Sequence, residues 1–139
     1  MIDRPHNWPD LLDAHLAHWR AQPFEWGKGD CAQYAASWLT QLGYPHPLAG
    51  LPAWSSPLAA ARVQRSMGGF RAAITAQLVA AGCPEIPFTF AMRGDLALVR
   101  IDHHRQALGI VTGPNVACHG SAEQVFFPLL SNAVTAWRI

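Results

Sequence analysis

Residues 26–39 read WGKGDCAQYAASWL, and this stretch carries the clearest helix signal in the chain. Asp30 is of the residue type that caps a helix N-terminus, and apolar residues then recur at helical spacing as far as Leu42. Gly43 suits a left-handed cap at the other end. The pattern therefore predicts a helix that is capped by Asp30, stops at Gly43 and has Cys31 in its first turn.

Three further helices and an irregular connector are predicted in the first half of the chain. Capping residues, helical spacing and breakers place the helices between Asn7 and Pro23, from Ser56 to about Met67, and from Phe70 to near Gly82. The density of proline and glycine over residues 44–56 predicts a connector without regular structure.

The second half changes to an alternating pattern rich in β-branched and aromatic residues. It predicts strands over residues 95–101, 106–112, 115–119, 124–127 and 133–138. Gly113-Pro114 is a tight-turn signal between two of them, so a meandering antiparallel sheet of about five strands is expected. Helices followed by strands predict the α+β class, and 139 residues suit one domain, residues 1–139.

Composition excludes several classes of protein. Half of the residues are hydrophobic and 14% are charged, which is typical of a compact globular protein. The net charge of +1, with no basic run, gives no electrostatic basis for binding nucleic acid. No apolar stretch approaches the roughly 20 residues that span a bilayer, so no membrane insertion is expected.

The N-terminus and the cysteines indicate a reducing compartment. The first ten residues, MIDRPHNWPD, lack the layout of a secretory signal peptide. Three widely spaced cysteines with no Cys-x-x-Cys pair argue against both a disulfide framework and a zinc site. We therefore expect free thiols, no metal and no cofactor.

Cys31 has two interpretations. The start of a helix favours the thiolate and lowers the thiol pKa, and backbone N–H groups of Gly27 and Gly29 would stabilise an oxyanion, so Cys31 is a candidate nucleophile. Alternatively, Cys31 is a small apolar residue on the packed face that it shares with Ala35 and Trp38.

Two segments resemble the NlpC-type branch of papain-like cysteine peptidases. They are FEWGKGDC, residues 24–31, and GDLALV, residues 94–99. That family hydrolyses peptide bonds of cell-wall peptidoglycan, with a cysteine at a helix N-terminus packed on an antiparallel sheet that carries a histidine base and a third polar residue. Where its motifs read Asp-Cys-Ser-Gly-Phe and His-Val-Gly-Ile, this chain has DCAQY at residues 30–34 and ALGI at residues 107–110.

The resemblance implies a degenerate catalytic site. Ala107 occupies the position of the family's base and cannot accept a proton, while His119 stands where the family has the residue that orients the base. Two ways of supplying a base to Cys31 stay open. His119 itself contacts Cys31, or His104, with His103 beside it in the turn before the Ala107 strand, reaches the thiol.

The remaining cysteines and the tryptophans are expected to be structural. Free cysteine is usually buried, which predicts burial of Cys83 and Cys118. Trp26, Trp38 and Trp54 are expected in the core, with the lining of a groove as the alternative.

Nearly the whole chain also resembles a small family from phage and prophage tail gene clusters, on WGKGDCAQYAASWL, RGDLALV, ALGIVTG and AWRI. This resemblance implies a virion component at the tail tip, assembled in the host cytoplasm, whose partners are other tail-tip proteins. We therefore expect a structural tail-tip protein with an NlpC-type fold and a degenerate site. The alternative is an active peptidoglycan endopeptidase or amidase that uses Cys31 with His119 or His104.

Overall fold

A computed structural model of the chain describes residues 2–120 and 125–139. The predicted α+β class is confirmed: the helices come first and an antiparallel sheet follows. The helices are α1 (Trp8–Arg20), α2 (Cys31–Gln41), α3 (Pro57–Ser66) and α4 (Phe70–Ala80).

Helix starts follow the predicted caps. Asp30 Oδ1 accepts a hydrogen bond from Gln33 N at 2.9 Å, and Ser56 Oγ accepts one from Ala59 N at 3.1 Å. Asn7 precedes α1 as predicted, but its side chain makes no capping hydrogen bond. These bonds satisfy backbone donors that a helix leaves unpaired in its first turn, and they fix where α2 and α3 begin.

Among the described residues the sheet has six strands in the order β1-β6-β2-β3-β4-β5, and every neighbouring pair is antiparallel. They are β1 (Glu85–Ile86), β2 (Leu96–Arg100), β3 (Gln106–Val111), β4 (Val116–His119), β5 (Val125–Phe126) and β6 (Ala133–Trp137). β1 was not predicted. Gln124, the first residue of one predicted strand, lies outside the described residues.

The sheet is buried on both faces. Alternate residues of β2 and β3, among them Leu98, Leu108 and Ile110, pack with α1, α2 and α4. The intervening residues, including Val99 and Ala107, form a second core under two short 3₁₀ turns, Phe88–Phe90 and Leu130–Asn132. The helices therefore cover one face, and the thinner layer of turns covers the other.

Asp95 joins the two ends of the chain to the sheet. Its side chain is fully buried and accepts hydrogen bonds from Arg4 Nη2 at 2.8 Å, Met92 N at 2.9 Å and Ile139 N at 3.0 Å. Arg138 Nε lies 3.1 Å from the other carboxylate oxygen, and Arg4 also donates to the Ile139 carbonyl. A single buried carboxylate therefore holds residues from both termini beside β2.

Candidate functional site

Cys31 is the first residue of α2 and lies between that helix and strand β3. Its sulfur faces the backbone N–H groups of Leu108, Ala32 and Cys31 itself. Cys31 also lines a cavity of about 130 Å³, which we call the Cys31 cavity. The candidate nucleophile of the sequence therefore lies where helix, sheet and cavity meet.

The expected activation of the thiol is wrong. Burial raises the pKa of Cys31 to about 11, although the three backbone N–H groups act in the opposite direction and favour the thiolate. The Asp30 carboxylate next to it raises the pKa further. The free-energy cost of removing the thiolate from water exceeds the stabilisation that the helix N-terminus provides at this position. The thiol therefore stays protonated near neutral pH.

The two glycine N–H groups expected to hold an oxyanion are already bonded within the chain. Gly27 N donates to Asp30 Oδ2 at 2.8 Å, and Gly29 N donates to the Glu25 carbonyl at 2.7 Å. Gly27 has a φ of 81°, and a Cβ there would overlap the Trp54 backbone. The glycines therefore serve a tight turn in front of α2, and neither N–H group points to a substrate.

Ala107 lies on the opposite face of the sheet from the helices. The residue of β3 that meets Cys31 is Leu108, which packs in the helix-facing core. The expectation that the Ala107 methyl lies opposite the thiol, in place of a base, is therefore wrong. Successive side chains of a strand point to opposite faces, so Leu108 faces Cys31 and its neighbour Ala107 faces away. Gly109, also on the far face, leaves no room for a Cβ, which would approach the Cys118 Sγ to 2.6 Å.

His119 lies on the helix-facing side of β4 and is almost completely buried. Its Nε2 is 3.0 Å from the Gln22 carbonyl, and its ring packs against Trp19, Phe24 and Tyr34, with centroid separations of 5.1, 6.3 and 6.1 Å. Its Nδ1 has no hydrogen-bond partner among the described residues. One ring nitrogen is thus bonded to Gln22 and the other is left without a partner among the described residues, while Tyr34, which the ring contacts, lies one turn along α2 from the thiol.

The structure leaves His103 and His104 in solvent. They occupy the turn between β2 and β3, where Asp102 accepts hydrogen bonds from His104 N at 2.8 Å and from Arg105. His103 lines a separate surface depression formed by residues 100–103 and 131–134, and neither histidine lines the Cys31 cavity. The turn is stabilised by its own hydrogen bonds and does not bring an imidazole to Cys31.

The other cysteines are buried and free, as predicted. Cys83 packs in the helix-facing core and Cys118 in the opposite core, and burial raises the pKa of both thiols. Trp38 is fully buried as expected, whereas Trp26 and Trp54 line the Cys31 cavity. The two alternatives for the tryptophans therefore both occur, at different positions.

Neither a metal cluster nor a membrane-spanning helix is found in the described part of the chain. Within residues 2–120 and 125–139, no group of three or more His, Cys, Asp and Glu side chains could hold a metal ion. Every helix described there is too short or too polar to cross a bilayer.

Replacing the cap residue Asp30 by alanine is expected to destabilise the protein by about 2 kcal/mol, because three donors lose their acceptor. Asp30 is buried and accepts from Gln33 N, Gly27 N and Trp54 Nε1, the last at 2.7 Å. Urea unfolding measures the loss. Ser56→Ala is the matched control, because Ser56 caps α3 with one bond and its loss should cost about 1 kcal/mol. Equal losses in the two variants would refute this role of Asp30.

These features define an α+β protein in which a free cysteine begins a helix, packs on an antiparallel sheet and lines an apolar cavity. The chain belongs to the family described as a domain of unknown function, DUF6950, whose model matches residues 3–139. No curated protein matches the chain.

Proposed function

We propose that the chain is a non-catalytic structural protein of the phage tail tip, with an NlpC-type papain-like fold whose catalytic site has degenerated. The observation that carries the loss of catalysis is the state of the Cys31 thiol. Burial raises its pKa to about 11, and no histidine nitrogen within the described residues is hydrogen-bonded to its sulfur. A cysteine nucleophile needs a lowered pKa or an adjacent base, and the part of the chain that the structure describes gives Cys31 neither.

The donors around Cys31 support the same proposal. The N–H groups of Gly27 and Gly29 are bonded to Asp30 and Glu25, and those of Cys31 and Ala32 face the thiol. Stabilisation of a tetrahedral intermediate requires donors aimed at the developing charge, which these are not. His119 Nδ1 is buried and has no partner among the described residues, which is compatible with a residue that has no base to orient.

The tail-tip location rests on the sequence resemblance, and the surface is compatible with it. Several large apolar side chains are exposed in the described residues: Leu58, Val79, Phe90, Met92, Phe127 and Leu129. Exposed apolar side chains offer contacts to neighbouring subunits. In this proposal the chain assembles with other tail-tip proteins in the host cytoplasm.

Purified cell-wall sacculi test the catalytic part of the proposal. We expect the protein to release no more muropeptide than its Cys31→Ser variant or buffer alone, because the thiolate population near neutral pH is minute when the pKa is about 11. Release by the unaltered protein that disappears in Cys31→Ser would overturn the proposal.

Mass spectrometry of phage particles made by a strain that carries this gene tests the location. We expect the chain to co-purify with the tail proteins in a fixed ratio. Its absence from intact particles, with the chain present in the lysate, would contradict the tail-tip assignment and leave the account of the thiol unaffected.

A cysteine peptidase that uses Cys31 and His119 is the second candidate, favoured by a histidine on the helix-facing side of the sheet whose Nδ1 has no partner within residues 2–120 and 125–139. His119 would take the thiol proton, and the thiolate would attack the peptide carbonyl. The peptide C–N bond would then break as His119 returns the proton to the leaving amine, and water would hydrolyse the resulting thioester to release the acid and the thiol. If muropeptides are released, His119→Ala should abolish the release, and His104→Ala, exposed at the β2–β3 turn, should leave it unchanged.

A further inference from the structure

Several parts of the fold form the walls of the Cys31 cavity. α2, α3 and α4 each contribute a side, and the connector over residues 44–56 closes it with Leu48, Leu51 and Trp54. Leu96 and Leu108 of the sheet also line it. Leu48, Leu51 and Trp54 are each half-buried, so the connector side of the cavity borders on solvent. The cavity is therefore a large gap in packing with a way in.

The polar groups of the cavity are few and mostly occupied. Asp30 is the single charged residue among the described residues that line it, and its oxygens already accept from two backbone N–H groups and from Trp54 Nε1. The Cys31 thiol and the side-chain amides of Gln64 and Gln77 remain. An anionic ligand would find no counter-ion among the described residues that line the cavity, and its desolvation would go uncompensated.

The volume of the Cys31 cavity limits the size of the ligand. A cavity of about 130 Å³ is close to an apolar cavity of ~150 Å³ that stays dry and takes up benzene. Side chains around an empty space of this kind lack contact partners on one side, and a small apolar molecule supplies them. Ligand sites are characteristically apolar with a few polar groups, as here.

We infer that the Cys31 cavity is a binding site for a neutral, apolar small-molecule group about the size of a six-membered ring, held by shape and van der Waals contact. The inference goes beyond the proposed structural role and does not depend on it, because it uses only the walls of the cavity.

Benzene is the probe for the intact protein, with benzoate as its charged counterpart. Chemical-shift changes during titration should saturate with a Kd of about 1 mM or tighter for benzene, and benzoate should bind at least about tenfold more weakly. The shifted resonances should include Cys31, Trp54 and Ile74. No saturable benzene binding up to its solubility, or equal binding of benzoate, would overturn the inference.

Two alanines of the same helix locate the site. Ala73 lines the cavity and Ala76, also on α4, is exposed and does not. Ala73→Leu fills the space and should weaken benzene binding at least about tenfold, whereas Ala76→Leu should bind benzene as the unaltered protein does. Equal affinities in the two variants would place benzene elsewhere and overturn the inference.

A cavity-enlarging variant keeps the test decisive if Ala73→Leu does not fold. Met67 lines the cavity and is half-buried, and Met67→Ala should let it accept naphthalene, which the unaltered protein should bind at least about tenfold more weakly. Unchanged naphthalene affinity in Met67→Ala would contradict the assignment.

Discussion

Replacing Asp95 by asparagine is expected to lower the free energy of unfolding by about 3 kcal/mol, the largest effect of any single substitution considered for this protein. The carboxylate is fully buried and is paired with Arg4 and Arg138 while it accepts two backbone N–H groups. An amide keeps the volume but removes the charge, so Arg4, itself mostly buried, is left without its counter-ion. Urea unfolding followed by tryptophan fluorescence measures the loss.

Asp13→Asn is the matched control for Asp95→Asn. Asp13 also pairs with an arginine, Arg93, at 2.8 Å, but its side chain is 68% exposed. Exposed ion pairs contribute about 0 to 1 kcal/mol, because water and salt screen them. If Asp95→Asn lost no more stability than Asp13→Asn, the ion-paired carboxylate would not be what secures the two ends of the chain.

The second large effect is a loss of stability in acid through His15. This histidine is buried, its Nε2 donates to the Tyr34 carbonyl at 3.1 Å, and its Nδ1 accepts from Gln41 Nε2 at 2.9 Å, so the neutral ring has both nitrogens satisfied. Burial lowers the pKa of His15 to about 4, from 6.5 in the unfolded chain. The unfolded state therefore binds a proton first as the pH falls.

Stability from His15 is fully present above pH 6.5 and is lost as the pH falls toward about 4. The shift corresponds to about 3 kcal/mol at most. Unfolding free energies measured at pH 7 and at about pH 4 should fall by that much more in the unaltered protein than in His15→Gln, which has no ring to protonate. If the free energy of unfolding fell equally in the two proteins, His15 would not be the cause of the loss of stability in acid.

The sequence was most informative where local chemistry determines structure. The caps Asp30 and Ser56 predicted the starts of α2 and α3, because a capping bond needs only neighbouring residues. β1 was missed because two residues between Pro84 and Pro87 form no alternating pattern, and the strand exists only through its pairing with β6. Long-range pairing of this kind leaves no local signal.

In the candidate site, too, features set by local sequence could be predicted and features set by long-range packing could not. That Cys31 begins a helix facing the sheet could be predicted, but the direction of its pKa shift could not, because the burial that raises the pKa depends on how the chain packs around the thiol in three dimensions. The face on which Ala107 lies was unpredictable for a related reason. Residues 107–111 of β3 are all buried, so no polar alternation distinguishes one face from the other. Gln22, the partner of His119, lies 97 residues away in sequence.

The pH dependence of Cys31 alkylation tests the central claim most directly. Intact protein is treated with iodoacetamide over a range of pH, and peptide-resolved mass spectrometry follows Cys31 separately from Cys83 and Cys118. We predict a rate that still rises above neutral pH and gives an apparent pKa of about 11, because desolvation of the thiolate outweighs the backbone N–H groups that favour it. A rate that reaches its plateau with an apparent pKa below ~8.5 would mean that Cys31 is a poised nucleophile, and would contradict a degenerate site.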